Sequence, residues 1–140
     1  MARVKIDNEL FQVVAHFSRF TGVTPKDTIV GFDETLTFVV DGDQIGRAIG
    51  PQGRNVRMIE EALKKRVRIV AFDADLRGFI ENVIRPLQIR GIEEQEGVVT
   101  LHAADSRSRS LLIGRAAMHL RTFESIVKRF FPTVKELKVA

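Results

Sequence analysis

Residues 49–56 read IGPQGRNV: two glycines two residues apart, an arginine, and the start of an apolar helical stripe. A glycine pair at this spacing lets the backbone turn sharply and lets another molecule come to contact distance, because no Cβ intervenes. Three binding chemistries use such a turn. A nucleotide-binding P-loop needs GxxxxGK[ST], and the chain contains no Gly-Lys pair. A dinucleotide fingerprint needs GxGxxG after a strand, whereas Gly46, Gly50 and Gly53 have another spacing and follow a helical pattern. The third is a nucleic-acid clamp, in which amides at the start of the helix after Gly53 face a phosphate and Arg47, Arg54 and Arg57 add charge. A glycine pair that merely packs two helices, with a solvated arginine face, is the alternative that the turn alone leaves open.

The distribution of charge favours the clamp. Net charge is only +4 over 140 residues. Residues 44–70 nevertheless hold seven basic side chains (Arg47, Arg54, Arg57, Lys64, Lys65, Arg66, Arg68) against Glu60 and Glu61. Residues 106–129 hold six (Arg107, Arg109, Arg115, Arg121, Lys128, Arg129) against Glu124. Each block is net +5 in an acidic remainder, as expected where one kind of surface meets a polyanion.

The elements that position these blocks form one unit used twice. At an offset of 64 residues, Ile49 and Gly50 fall on Ile113 and Gly114, Val56 on Leu120, Arg57 on Arg121, Glu60 on Glu124, Lys64 on Lys128, and Asp41 on Asp105. In the first pass the spacing predicts a helix over 8–21, capped by Asp7 or Asn8, with Leu10, Val13, Val14, Phe17 and Phe20 on one stripe. Strands over 28–32 and 36–41 follow, the second apolar enough to be central. Then come a short helix over 43–49, the glycine turn, a helix to about 65 and a strand over 67–72. The second pass predicts a helix from Leu76 to near Pro86, strands over 88–93 and 98–103, and a helix over 107–113. The turn at Gly114, a helix carrying Leu120, Phe123, Val127 and Phe130, and a strand over 134–139 complete it. Both passes read αββααβ. A lone half of about 75 residues has a marginal core, so the halves are expected to pack as one compact unit.

Other chemistries find little support. Without cysteine there is no disulfide or thiolate metal site, and His16, His102 and His119 are too scattered to suggest ligands, so neither a metal nor a cofactor is expected. Ser106, Ser108 and Ser110 lie among arginines without a partner histidine, and Asp43 and Asp105 read as helix N-caps, so no catalytic residues and no enzyme are expected. No stretch approaches the roughly 18 apolar residues of a membrane span. A cytoplasmic protein is expected. A basic amphipathic helix could also dock on a membrane surface or a partner helix, but that reading leaves the glycine turns before both basic helices unexplained.

The αββααβ order with an Ile-Gly-x-x-Gly turn between the central helices resembles a type II KH domain. IGRAIGPQGRNVRMIEEALKKRVRIV is similar to the first KH domain of the NusA family of transcription factors, and LLIGRAAMHLRTFESIVKRF to the second. The tandem resembles the short archaeal form, without the polymerase-binding and OB-fold domains of the longer bacterial proteins. The resemblance implies an α+β fold of two tandem type II KH domains, 1–73 and 74–140. It implies single-stranded RNA, the nascent transcript, as partner, with RNA polymerase as a further one, and a role in transcription termination or antitermination. Ribosome assembly or another RNA process is the alternative, and a protein-interaction module a third. Carried over by residue, the GxxG clamp falls on Gly50, Pro51, Gln52 and Gly53, supported by Arg47, Arg54 and Arg57. The second turn is Gly114, Arg115, Ala116, Ala117. An alanine in the last position resists positive φ and adds a Cβ, so this copy is expected to grip less well, with Arg115 partly compensating.

Overall fold

Every residue of Leu36–Val40 (β2) is buried, because LTFVV is apolar on both faces and lies in the middle of its sheet. Asp27–Val30 (β1) pairs antiparallel on one side of it, Asp27 opposite Val39, and Val67–Ala71 (β3) pairs parallel on the other, Leu36 opposite Val67. A parallel neighbour needs a crossover. It is made by Ile45–Ile49 (α2), preceded by a 3₁₀ turn over Gly42–Gln44, then by a second 3₁₀ turn over Pro51–Gly53 and by Arg54–Leu63 (α3). Ala2–Thr21 (α1) precedes β1. Phe17 of α1 stacks on Phe38 of β2, with ring centroids 4.2 Å apart and planes 16° from parallel. Val23, Val40, Ala48, Ile59 and Val67 close the core around that pair.

The computed structural model describes residues 2–140, with side chains at Glu9 and from Phe11 onward. Leu10, assigned to the α1 stripe, lies outside the described side chains. The helix begins at Ala2, so Asp7 and Asn8 sit inside it and do not cap it. Neither Gly nor Pro precedes them to stop the backbone hydrogen bonds from propagating upstream.

The chain divides into two compact units, one up to Val30 and over Glu34–Phe72, the other comprising Gly31–Asp33 and Asp73–Ala140. The second unit repeats the order of the first with Leu76–Ile84 (α4), Ile89–Gln95 (β4), Val98–Ala103 (β5), Ser106–Ile113 (α5), Met118–Phe130 (α6) and Glu136–Val139 (β6). Its sheet is β4-β5-β6, antiparallel then parallel. Phe79 of α4 is buried and meets Phe130 edge-on at 5.4 Å. Two α+β units, each of order αββααβ, follow one another as expected. No helix among the described residues is long and apolar enough to cross a membrane.

Replacing Phe38, which is fully buried, with alanine should remove the stacked pair and lower unfolding stability by about 3–5 kcal/mol. Phe11, 79% exposed, should tolerate alanine within about 0.5 kcal/mol. Guanidinium unfolding followed by circular dichroism measures both.

Candidate nucleic-acid interface

Chain reversal between α2 and α3 takes four residues. Gly50 stands at φ 77° and ψ 170°, a region essentially reserved for glycine, and its amide still bonds back to the Gly46 carbonyl at 2.9 Å. Gln52 (φ 54°, ψ 30°) and Gly53 (φ 73°, ψ 19°) are both left-handed. Pro51 opens the 3₁₀ turn, where a missing N–H costs little. The Gly53 amide donates to the Gly50 carbonyl at 3.1 Å and the Arg54 amide to that of Pro51. Amides around this helix start were expected to face a phosphate, but these two are engaged inside the turn.

The three arginines separate. Arg54 is exposed at the first residue of α3, beside the exposed Pro51 and Gln52. Arg57 turns back, its Nη1 donating to the Gln52 carbonyl at 2.5 Å, and so braces a residue that is strained by about 1–2 kcal/mol in the left-handed region. Arg47 lies by Gly22 at the end of α1, its Nη2 2.9 Å from where a Cβ on Gly22 would stand. Near the turn itself the charge therefore comes from Arg54 and Arg57, the latter already carrying one bond.

The second turn has almost the same backbone. Gly114 is at φ 73° and ψ 174°, Ala116 at 55° and 29°, Ala117 at 61° and 22°, and the Ala117 amide donates to the Gly114 carbonyl at 3.2 Å. Alanine was expected to resist this conformation. It adopts it, because the helices on either side and the same 3₁₀ bonds over-determine the turn. Arg115 is exposed in the second position. Of the ten phenylalanines only Phe11 and Phe32 are exposed, and neither belongs to the residues of the two turns.

Four further side chains fix these helices. Glu60 and Glu124, an identical pair in the repeat, accept the amides of Val67 and Leu137, each at 2.9 Å, and tie α3 to β3 and α6 to β6. The Asn55 carboxamide donates to the Arg47 carbonyl at 3.1 Å, and His119 Nδ1 bonds the Leu111 carbonyl at 2.8 Å. Asn55 and His119 escape the sequence reading, because the 64-residue offset aligns them as unlike residues.

Of the two caps expected beside the turns, Asp43 and Asp105, one is found. Asp105 caps α5 as expected, its carboxylate accepting the Ser108 amide at 2.7 Å. The Ser108 amide, then its hydroxyl, hold the Asp105 carboxyl below the ordinary aspartate range. Asp43, the expected cap of the first copy, sits within the 3₁₀ turn instead. The cap position falls to Asp41, which makes no side-chain cap bond and pairs with Lys26 at 3.3 Å.

Residues 35–100 match the KH domain family. A protein of Methanocaldococcus jannaschii named probable transcription termination protein NusA is 29% identical, over 92% of this chain and 72% of that protein. Proteins of the same name from Methanococcus vannielii and Halococcus morrhuae are 27% and 28% identical, covering 98% and 92% of this chain and 80% and 94% of theirs. In fold, the chain is similar to the crystal structure of APE1850, with a TM-score of 0.73 at 24% identity, over 93% of this chain and 96% of that one.

Gly50→Ala should be destabilised by about 1–3 kcal/mol from its backbone alone. Its Cβ would also stand 2.9 Å from Asn55 Cγ. Gly46, on α2 with open space around it, should gain about 0.5–1 kcal/mol on replacement by alanine. Denaturant unfolding of the two variants should therefore shift in opposite directions.

Because the folded Asp105 pKa is depressed, its cap should contribute fully above the unfolded value of about 3.8 and be lost as pH falls through the lower folded value. Acid titration of the Ser108 amide by NMR should follow that loss, and Asp105→Asn should remove the dependence.

Proposed function

We propose that this chain, an RNA-binding KH-domain protein of the archaeal NusA type, grips single-stranded RNA at the Gly50, Pro51, Gln52, Gly53 turn. The first KH domain spans 1–73 and the second 74–140. The observation that carries the reading is a left-handed turn opened by a glycine and built twice at one spacing, with an exposed arginine in or beside each copy, Arg54 at the head of α3 and Arg115 within the second turn. KH domains hold a short single-stranded stretch by its backbone, and the missing Cβ at Gly53 permits that approach. Arg54 supplies attraction to phosphate, Arg57 braces the turn and adds charge, and Arg47 adds longer-range field. In the second domain Gly114, Arg115, Ala116 and Ala117 form the matching turn, with methyl groups narrowing the approach. Recognition rests on backbone grip and edge hydrogen bonds, since eight of the ten phenylalanines are buried or half-buried.

The protein acts by holding RNA, with no reaction of its own. In the cytoplasm its ligand is the nascent transcript beside RNA polymerase, and its effect is on transcription termination or antitermination. The names borne by its relatives support that role.

Short single-stranded RNA titrated across a salt series tests the clamp. Pro51→Asp/Gln52→Asp should abolish the salt-sensitive affinity, and Ala116→Asp/Ala117→Asp should weaken it several-fold, with circular dichroism unchanged in both. If the wild type binds no RNA, or neither pair alters binding, the turns only pack helices and a protein partner takes the place of RNA. Transcription with purified archaeal polymerase tests the role: the protein should shift terminator read-through, and Pro51→Asp/Gln52→Asp should not.

A further inference from the structure

Asn55 and His119 stand at the same place in the two copies and do the same thing with different chemistry. Each lies on the second residue of the helix after the turn, counting from Arg54 and Met118. Each reaches back across the turn to a backbone carbonyl of the preceding helix, Arg47 of α2 or Leu111 of α5. These two carbonyls are themselves 64 residues apart, like the side chains that bond them. A carbonyl only accepts, so Asn55 presents its amide group and His119 carries a proton on Nδ1. Each side chain also fills the space beside the turn's first glycine. A Cβ on Gly50 would stand 2.9 Å from Asn55 Cγ, and one on Gly114 2.6 Å from His119 Cγ.

An amide and an imidazole share little beyond a planar polar group one carbon out from Cβ, with a hydrogen-bond donor on its rim. Their coincidence at one site, on one kind of acceptor and over one kind of glycine, means that a donor is what the site requires. We infer that Asn55 is a positioning residue of the first clamp: it fastens the head of α3 to the last turn of α2 and thereby fixes the angle at which the 50–53 turn is offered to RNA. His119 is its counterpart in the second copy. Neither residue needs to touch RNA, and the first glycine serves as the floor on which the bracket lies as well as the bend. The inference rests on the clamp reading for its effect on RNA, while the bracket itself is a property of the free protein.

The test compares Asn55→Ala, Asn55→Asp and Asn55→His with the wild type in the full chain. The probes are short single-stranded RNA and amide hydrogen exchange measured without RNA. Alanine removes the donor, and aspartate keeps the shape but sets a carboxylate against the carbonyl. Both should weaken RNA binding about three- to tenfold, the range of one net hydrogen bond, and speed exchange at the Gly50 and Gly53 amides. The slope of affinity against salt should stay unchanged, because no phosphate contact is lost. Histidine, borrowed from the other copy, should restore both affinity and protection. If it restores neither, or if alanine leaves both unchanged, the bracket is overturned. If alanine speeds exchange while RNA binding is indifferent to it and to Pro51→Asp/Gln52→Asp alike, the clamp reading fails and the bracket stands. Loss of affinity in Pro51→Asp/Gln52→Asp but not in Asn55→Ala or Asn55→Asp would sink the bracket and keep the clamp.

Discussion

Parallel pairing of β2 with β3, and of β5 with β6, is the constraint from which the rest of each unit follows. A parallel neighbour obliges the chain to travel back along the sheet before it can pair again, and here the return is made by two helices. Two short helices need a break between them, and the break must reverse direction within a few residues. A left-handed stretch opened by a glycine does this with the fewest atoms. The turn is therefore a by-product of strand order: the crossover creates it, with exposed Arg54 at the head of the helix that follows in the first unit and exposed Arg115 within the turn in the second.

Comparison of the two copies separates what the crossover demands from what it tolerates. Both keep the first glycine, the glutamate that receives an amide near the start of the third strand, and a donor aimed at the preceding helix. Between these points the residues drift: Pro-Gln in one turn becomes Arg-Ala in the other, and the closing glycine becomes alanine with little change of backbone angle. Backbone geometry is held by the surroundings, and the intervening side chains are released to tune charge.

Much of this could be seen in the chain before its structure. The stripe from Val13 to Phe20, the apolar run at Leu36 and the 64-residue repeat each report a periodic demand, and periodic demands leave periodic residues. What stayed hidden depends on contacts remote in sequence or on chemistry that residue likeness does not capture. Asp43, expected to cap the helix, lies within the 3₁₀ turn, while Asp41 at the cap position pairs with Lys26, 15 positions upstream, and makes no cap bond. Arg57 looks like any solvated cation until its guanidinium is seen folded onto the Gln52 carbonyl. Asn55 and His119 share a bond but not an alphabet class. The start of α1 at Ala2 had no stop signal to mark it.

Glu60 receives an amide seven residues ahead, whereas Glu124 receives one 13 residues ahead. The tie between helix and third strand thus spans six more residues in the second unit: three lengthen α6, two lengthen the link to β6, and Leu137 is the second residue of its strand where Val67 is the first. This end of the unit tolerates a difference in length, because the carboxylate fixes the strand whatever the slack between them. The opposite end of the same helix has no such freedom. In each unit a single acid sets the strand in place while the turn at the helix head keeps its geometry.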